Sequence, residues 1–185
     1  MTEAIFTLAN QLTLLRMLLI PAFVILVLYG YFGWALIVFL VAGATDAFDG
    51  LVARQAGQKT TLGAWLDPAA DKLLLVTTFV VLTLPNIGLV NRVPIWLTVL
   101  VISRDVGIVL TVAIVNLAMG PRTFTPSLLG KGATAFFILT CVVVMYFNYL
   151  GRTSVIVDAF IWGALAITLA SGIDYVFRVA RIINQ

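Results

Sequence analysis

Polar positions are rare along this chain, and the apolar stretches between them are long. Residues 17 to 45 carry no charged side chain. About 20 consecutive apolar residues cross a bilayer as a helix, so this stretch holds material for more than one crossing. Its interruption is Tyr29-Gly30-Tyr31-Phe32-Gly33, a glycine turn with the aromatic residues that favour a membrane–water interface. The same reading along the whole chain predicts six helices, at about 11–30, 33–53, 67–84, 93–118, 132–150 and 154–178. The third stops at Pro85-Asn86 and the fourth before Gly120-Pro121. The first nine residues alternate polar and apolar, which suits a short interfacial helix. Connections are short, and no internal repeat or low-complexity tract divides the chain. The expectation is one all-α domain over residues 1–185, a bundle of six transmembrane helices.

Composition supports this. Of 185 residues, 62% are hydrophobic and 10% are charged, against about 25% charged in an ordinary soluble domain. There is too little polar material to cover a globular surface, to keep a chain disordered or to solvate a coiled coil. No histidine is present, which removes His-based metal sites, His general bases and Ser-His-Asp chemistry. The one cysteine, Cys141, lies in an apolar run and cannot form an intrachain disulfide. The N-terminus has Glu3 and no basic segment, so no cleaved secretory signal is expected.

Charge then gives orientation. The net charge of +3 comes from scattered basic residues, a pattern that does not fit nucleic-acid binding. Arg54, Lys59, Lys72, Arg122, Lys131, Arg178 and Arg181 fall on one side of the predicted bundle, and only Arg92 and Arg152 on the other. The positive-inside rule places the first side, with both termini, in the cytoplasm.

Four of the eight acidic residues lie between Asp46 and Asp71. Counted from Gly33 at 1.5 Å per residue, Asp46 sits roughly 20 Å into a core about 30 Å thick. A lone carboxylate there is expensive. Asp46 and Asp49 are three apart and share one helix face, and Asp67 and Asp71 are four apart and share another. The segment between Asp49 and Asp67 lets the two helices return antiparallel and bring these faces to one depth. Four carboxylates in a low dielectric repel one another, and hard divalent cations relieve this. The oxygen-rich donor set suits Mg²⁺, Mn²⁺ or Ca²⁺, the lack of thiolate and imidazole argues against zinc or copper, and a pair of ions is the usual device for displacement at phosphorus.

Gly50, Ala53 and Gly63 add small side chains beside the acids, which would let a ligand approach the backbone. Taken one at a time, these features have structural alternatives. Asp67-Pro68 could cap a helix, with proline at its first position. Gly50 could serve helix–helix packing. As one pattern of four acids and three small residues, the site reading is preferred.

The stretch from Asp46 to Asp71 reads D-x-x-D-G-x-x-A-R, eight residues, then G-x-x-x-D-x-x-x-D. It resembles the signature of the CDP-alcohol phosphotransferases at every fixed position. The resemblance implies a six-helix membrane bundle with cytoplasmic termini, commonly a homodimer. It also implies displacement of CMP from a CDP-linked donor by an acceptor hydroxyl, with divalent metal. Residue by residue, Asp46, Asp49, Asp67 and Asp71 match the metal-site aspartates, and Asp71 the general base on the acceptor hydroxyl. Asp46, Gly50, Ala53 and Gly63 match the cytidine diphosphate site, and Arg54 is placed to contact phosphate.

Three further segments bear on the substrate. Asn10-Gln11-Leu12-Thr13-Leu14-Leu15-Arg16 is similar to the N-x-x-T-x-x-R opening of bacterial members that use CDP-diacylglycerol. Ser127-Leu128-Leu129-Gly130-Lys131 and Ser171-Gly172-Ile173-Asp174-Tyr175 resemble segments of phosphatidylglycerophosphate synthases and eukaryotic-type cardiolipin synthases. Arg104, inside a predicted span, is either salt-bridged to Asp105 or Asp174, or binds an acceptor phosphate together with Lys131. Glycerol 3-phosphate and phosphatidylglycerol both offer that phosphate. Arg104-Asp105 looks more like the cardiolipin synthases, where phosphatidylglycerophosphate synthases usually have Arg-Glu. Glycerol 3-phosphate is favoured as the acceptor of most small bacterial members. The expected setting is the bacterial inner membrane, with the site facing the cytoplasm. A transporter would spread its acids over several helices and through the membrane depth. Here they cluster on two.

Overall fold

A computed structural model describes the backbone of residues 8–56, 61–119 and 127–183, and the side chains of 11–45, 70, 72–117 and 127–180. Six helices follow one another: α1 (Leu8–Leu28), α2 (Phe32–Ala56), α3 (Thr61–Thr83), α4 (Ile95–Met119), α5 (Leu128–Tyr149) and α6 (Val155–Ile183). No strand occurs among the described residues. The proposed interfacial helix over 1–9 falls mostly outside them.

The turns explain the boundaries. Gly30, at φ 78°, ends α1 in a left-handed cap. Tyr31 N–H donates to Leu26 C=O at 2.8 Å and Gly30 N–H to Val27 C=O at 3.0 Å, the paired bonds of a Schellman motif. Gly151 repeats the arrangement after α5, with Arg152 N–H bonded to Phe147 C=O at 3.2 Å. Ser127 begins α5 earlier than its apolar run suggested. Its Oγ accepts Gly130 N–H at 2.8 Å and its C=O accepts Lys131 N–H at 3.0 Å, which occupies two amides of the first turn. The largest departure is in α3. It starts at Thr61 rather than near 67 and runs straight through Asp67 and Pro68. Proline there forgoes one amide hydrogen bond, a loss the surrounding helix absorbs. Asp67 is therefore inside a helix, and the capping alternative does not hold.

The chain forms two compact units. The first comprises residues 1–92 and 144–153, and the second 93–143 and 154–185. In the first, α1 packs on α2 and α3, and α2 on α3. Its core holds Phe23, Val27, Ala35, Phe39, Ala42, Phe79 and Leu82. In the second, α4 packs on α6, and Phe136 of α5 stacks on Phe160 of α6 at 5.4 Å.

Both units are apolar outside and carry polar groups inside. Leu18, Trp34 and Ile37 are exposed in the first, and Ile95, Val109, Ile114, Leu117 and Val176 in the second. Thr13, Arg16, Thr78, Asn91, Thr98, Asp105, Thr140, Asn148, Thr168 and Ser171 are buried. Water would reverse this arrangement, and lipid favours it, since buried polar groups find partners that hydrocarbon cannot supply. Thr78, Thr140 and Thr168 each donate to the carbonyl four residues back, at 2.7, 2.8 and 2.6 Å.

Gln11–Leu28, Ile95–Leu117, Leu128–Tyr149 and Val155–Ala180 are long and apolar enough to cross a membrane. The apolar parts of α2 and α3 are shorter, Phe32–Thr45 and Lys72–Thr83 among the described residues. The other half of each of these two helices carries the acids.

Candidate active site

α2 and α3 are antiparallel neighbours joined through residues 57–60. Asp49 lies seven residues before the end of α2, and Asp67 six residues after the start of α3. Asp46 and Asp71 each lie ten residues from the same link. At 1.5 Å per residue the four acids form two levels, about 10 and 15 Å from that end of the hairpin. Sequence spacing alone gave the shared faces, and the continuous helix through Pro68 fixes the levels. Gly50, Ala53 and Arg54 occupy the last turns of α2, and Gly63 the first turn of α3. The side chains of all these residues lie outside the described ones. A donor set of four carboxylates without nitrogen or sulfur fits hard divalent cations. Among the described residues no group of three or more potential metal ligands occurs.

Arg104 of α4 is a buried charged side chain of the second unit. Its Nη1 lies 2.7 Å from Asp105 Oδ1, with both side chains almost fully buried. Its Nε donates to Ser171 Oγ of α6 at 3.1 Å, and Ser171 Oγ donates to Thr168 C=O at 3.1 Å. Its Nη2 sits 3.5 Å from where a Cβ would project from Gly130, in the first turn of α5. Of the two ion pairs considered for Arg104, the one with Asp105 forms. Asp174 pairs instead with Arg178, at 2.9 Å. Lys131 follows Gly130 and is exposed, so both proposed acceptor residues adjoin the start of α5. A groove of about 590 Å³ runs beside Arg104 between α4 and α6, bordered by Ser103, Gly107, Thr111, Gly172 and Tyr175. Tyr175 OH donates to Ile108 C=O at 3.0 Å and ties the two helices together.

The family profile for CDP-alcohol phosphatidyltransferases matches residues 6–170. The chain belongs to that family. The match takes in the acid-bearing hairpin, Arg104 and the start of α5. A probable phosphatidylglycerophosphate synthase of Mycobacterium tuberculosis is 33% identical over 97% of this chain and 85% of its own length. A cardiolipin synthase (CMP-forming) of Streptomyces coelicolor is 30% identical over 99% of this chain and 87% of its own length. The human cardiolipin synthase (CMP-forming) is 39% identical over 68% of this chain and 40% of its own length. This phosphatidyltransferase is thus a phospholipid-biosynthesis enzyme and an integral membrane protein.

Sequence reasoning overlooked Ser171 as the residue that aims Arg104. It also overlooked a polar tie in the first unit. Asn91 N–H donates to Asn148 Oδ1 at 2.9 Å, while Asn148 Nδ2 donates to Asn91 C=O and to Val144 C=O, both at 2.8 Å. Asn91 Nδ2 closes the knot on Arg152 C=O at 2.7 Å. The visible signal was an asparagine in the otherwise apolar last turns of α5, after Cys141.

Proposed function

We propose that this enzyme transfers the phosphatidyl group of CDP-diacylglycerol to glycerol 3-phosphate, giving phosphatidylglycerophosphate and CMP. The observation that carries the donor chemistry is the pair of two-acid levels on the antiparallel α2–α3 hairpin, on the family's own residue pattern. The acceptor hydroxyl attacks the phosphorus that bears the diacylglycerol. A new P–O bond forms, the bond to the bridging oxygen breaks, and CMP departs with that oxygen. Asp71 accepts the hydroxyl proton. Asp46, Asp49, Asp67 and Asp71 would hold two Mg²⁺ or Mn²⁺ ions, which supply charge stabilisation at the reacting phosphates. Gly50, Ala53 and Gly63 leave room for the cytidine diphosphate, and Arg54 holds its phosphate. Arg104 and Lys131 take the acceptor phosphate.

Similarity to the Streptomyces coelicolor enzyme over nearly the whole chain favours a second reading, cardiolipin formation with phosphatidylglycerol as acceptor. In either case all six helices cross the membrane. The acids then open to the cytoplasmic side of a bacterial inner membrane, and the enzyme works as a homodimer. Parallel assays in mixed micelles separate the acceptors. CDP-diacylglycerol with Mn²⁺ is supplied with glycerol 3-phosphate or phosphatidylglycerol, and CMP and the lipid product are identified. Release with glycerol 3-phosphate alone is expected. Full activity in excess EDTA, or CMP release with neither acceptor, would refute the proposal.

A further inference from the structure

The Asn10–Arg16 segment has no part in the reaction as drawn, yet it holds the largest fully buried polar side chain described. Arg16 is completely buried, and so is Thr13 one turn before it. A guanidinium keeps its charge under all ordinary conditions. Placing it inside an apolar bundle is costly unless an anion faces it. The buried residues of α1, Thr13, Arg16, Phe23 and Val27, form one stripe. Phe23 meets Phe39 of α2 across that stripe, with ring centroids 6.0 Å apart. This contact sets the register of the antiparallel pair. Seven residues are two turns, and return a helix to nearly the same face. Seven residues before Phe23 stands Arg16, and seven after Phe39 stands Asp46. Both steps move about 10 Å in the same direction. Arg16 therefore lies at the level of Asp46. α1 also packs on α3, which carries Asp67 and Asp71.

We propose that Arg16 is the fixed cation of the acid site and binds the diphosphate of the CDP-linked donor. The inference rests on the donor chemistry proposed above. Charge counting supports it. Two divalent ions are balanced by four carboxylates, so of the two negative charges of the donor diphosphate Arg54 offsets one and the other is left without an opposite charge. A guanidinium at the same level supplies one, in a fork that matches phosphate oxygens.

The sign of two binding changes tests the idea without turnover. Mn²⁺ binding is followed by electron paramagnetic resonance, and CDP binding in the presence of Mn²⁺ by calorimetry, on the full chain in detergent. Arg16→Gln is expected to weaken CDP binding about tenfold or more, while Mn²⁺ binds as tightly as before or tighter, because a nearby positive charge has gone. Arg16→Lys is expected to regain part of the CDP affinity. Unchanged CDP binding would overturn the proposal and leave Arg16 as a partner of the carboxylates alone. Parallel weakening of Mn²⁺ and CDP would overturn it in favour of a packing role. If Arg16→Gln does not fold, Arg16→Lys carries the comparison: CDP binding about fivefold weaker with Mn²⁺ binding unchanged supports the proposal, and full CDP affinity overturns it. A wild-type protein that bound neither Mn²⁺ nor CDP would instead refute the donor chemistry itself.

Discussion

Replacing Ser171 with alanine separates two roles for Arg104 that a direct substitution confounds. Arg104→Ala removes the ion pair to Asp105, whose side chain is almost fully buried, and breaking a buried pair costs about 3–5 kcal/mol. A loss of that size could unfold a membrane bundle regardless of what Arg104 binds. Ser171→Ala removes the 3.1 Å bond from Arg104 Nε and leaves the Asp105 pair in place. The expected stability cost is about 1 kcal/mol, the net worth of one such hydrogen bond. If Arg104 holds the acceptor phosphate, the freed guanidinium loses its aim. The acceptor KM should then rise about three- to tenfold, while the donor KM stays within about twofold. Initial rates of CMP release, with each substrate varied at saturating levels of the other, give both constants. Thermal unfolding in the same detergent gives the stability change. A change of equal size in both KM values, or unchanged kinetics beside a lower melting temperature, would refute acceptor binding by Arg104 and leave the residue as a strut between α4 and α6.

Three other outcomes are expected. Asp71→Asn should abolish turnover while largely sparing CDP-lipid binding, measured by calorimetry; near-normal turnover would remove Asp71 from the role of base. Asn148→Leu takes the partners from the buried N–H and C=O of Asn91, and should destabilise the protein by about 2–4 kcal/mol in thermal unfolding. A change below about 0.5 kcal/mol would contradict the importance of that knot. Gly163→Ala should shift or unstack the Phe136 ring, because a Cβ at Gly163 would come within 2.7 Å of Phe136 Cζ. A clear drop in melting temperature checks this, and an unchanged one would mean that the ring yields freely.

Helix number and the family were legible because lipid forces apolar runs and makes the pattern of acids conspicuous. The run from 17 to 45 announced two helices, and the Gly30 turn between them follows from the need for a left-handed cap. What misled was also physical. Apolar periodicity marks where a helix meets lipid, so it started α3 near residue 67 and missed the turns that begin at Thr61. It started α5 at 132 because Ser127 caps the helix with its side chain rather than with hydrophobicity. Partners of charged groups were the least legible. Arg104 had two acidic candidates on paper, and choosing Asp105 over Asp174 depended on Arg178 lying one turn beyond Asp174 on α6. Ser171 and the Asn91–Asn148 knot join residues 67 and 57 positions apart, separations that no local pattern encodes. The same reasoning explains why Arg16 stood out only after packing was known. In sequence it is one letter of a motif, while in the fold it is a buried charge two turns along the register that Phe23 and Phe39 establish. In this chain scarcity of charge makes the acid pattern conspicuous, and helix register sets which charged residues share a level.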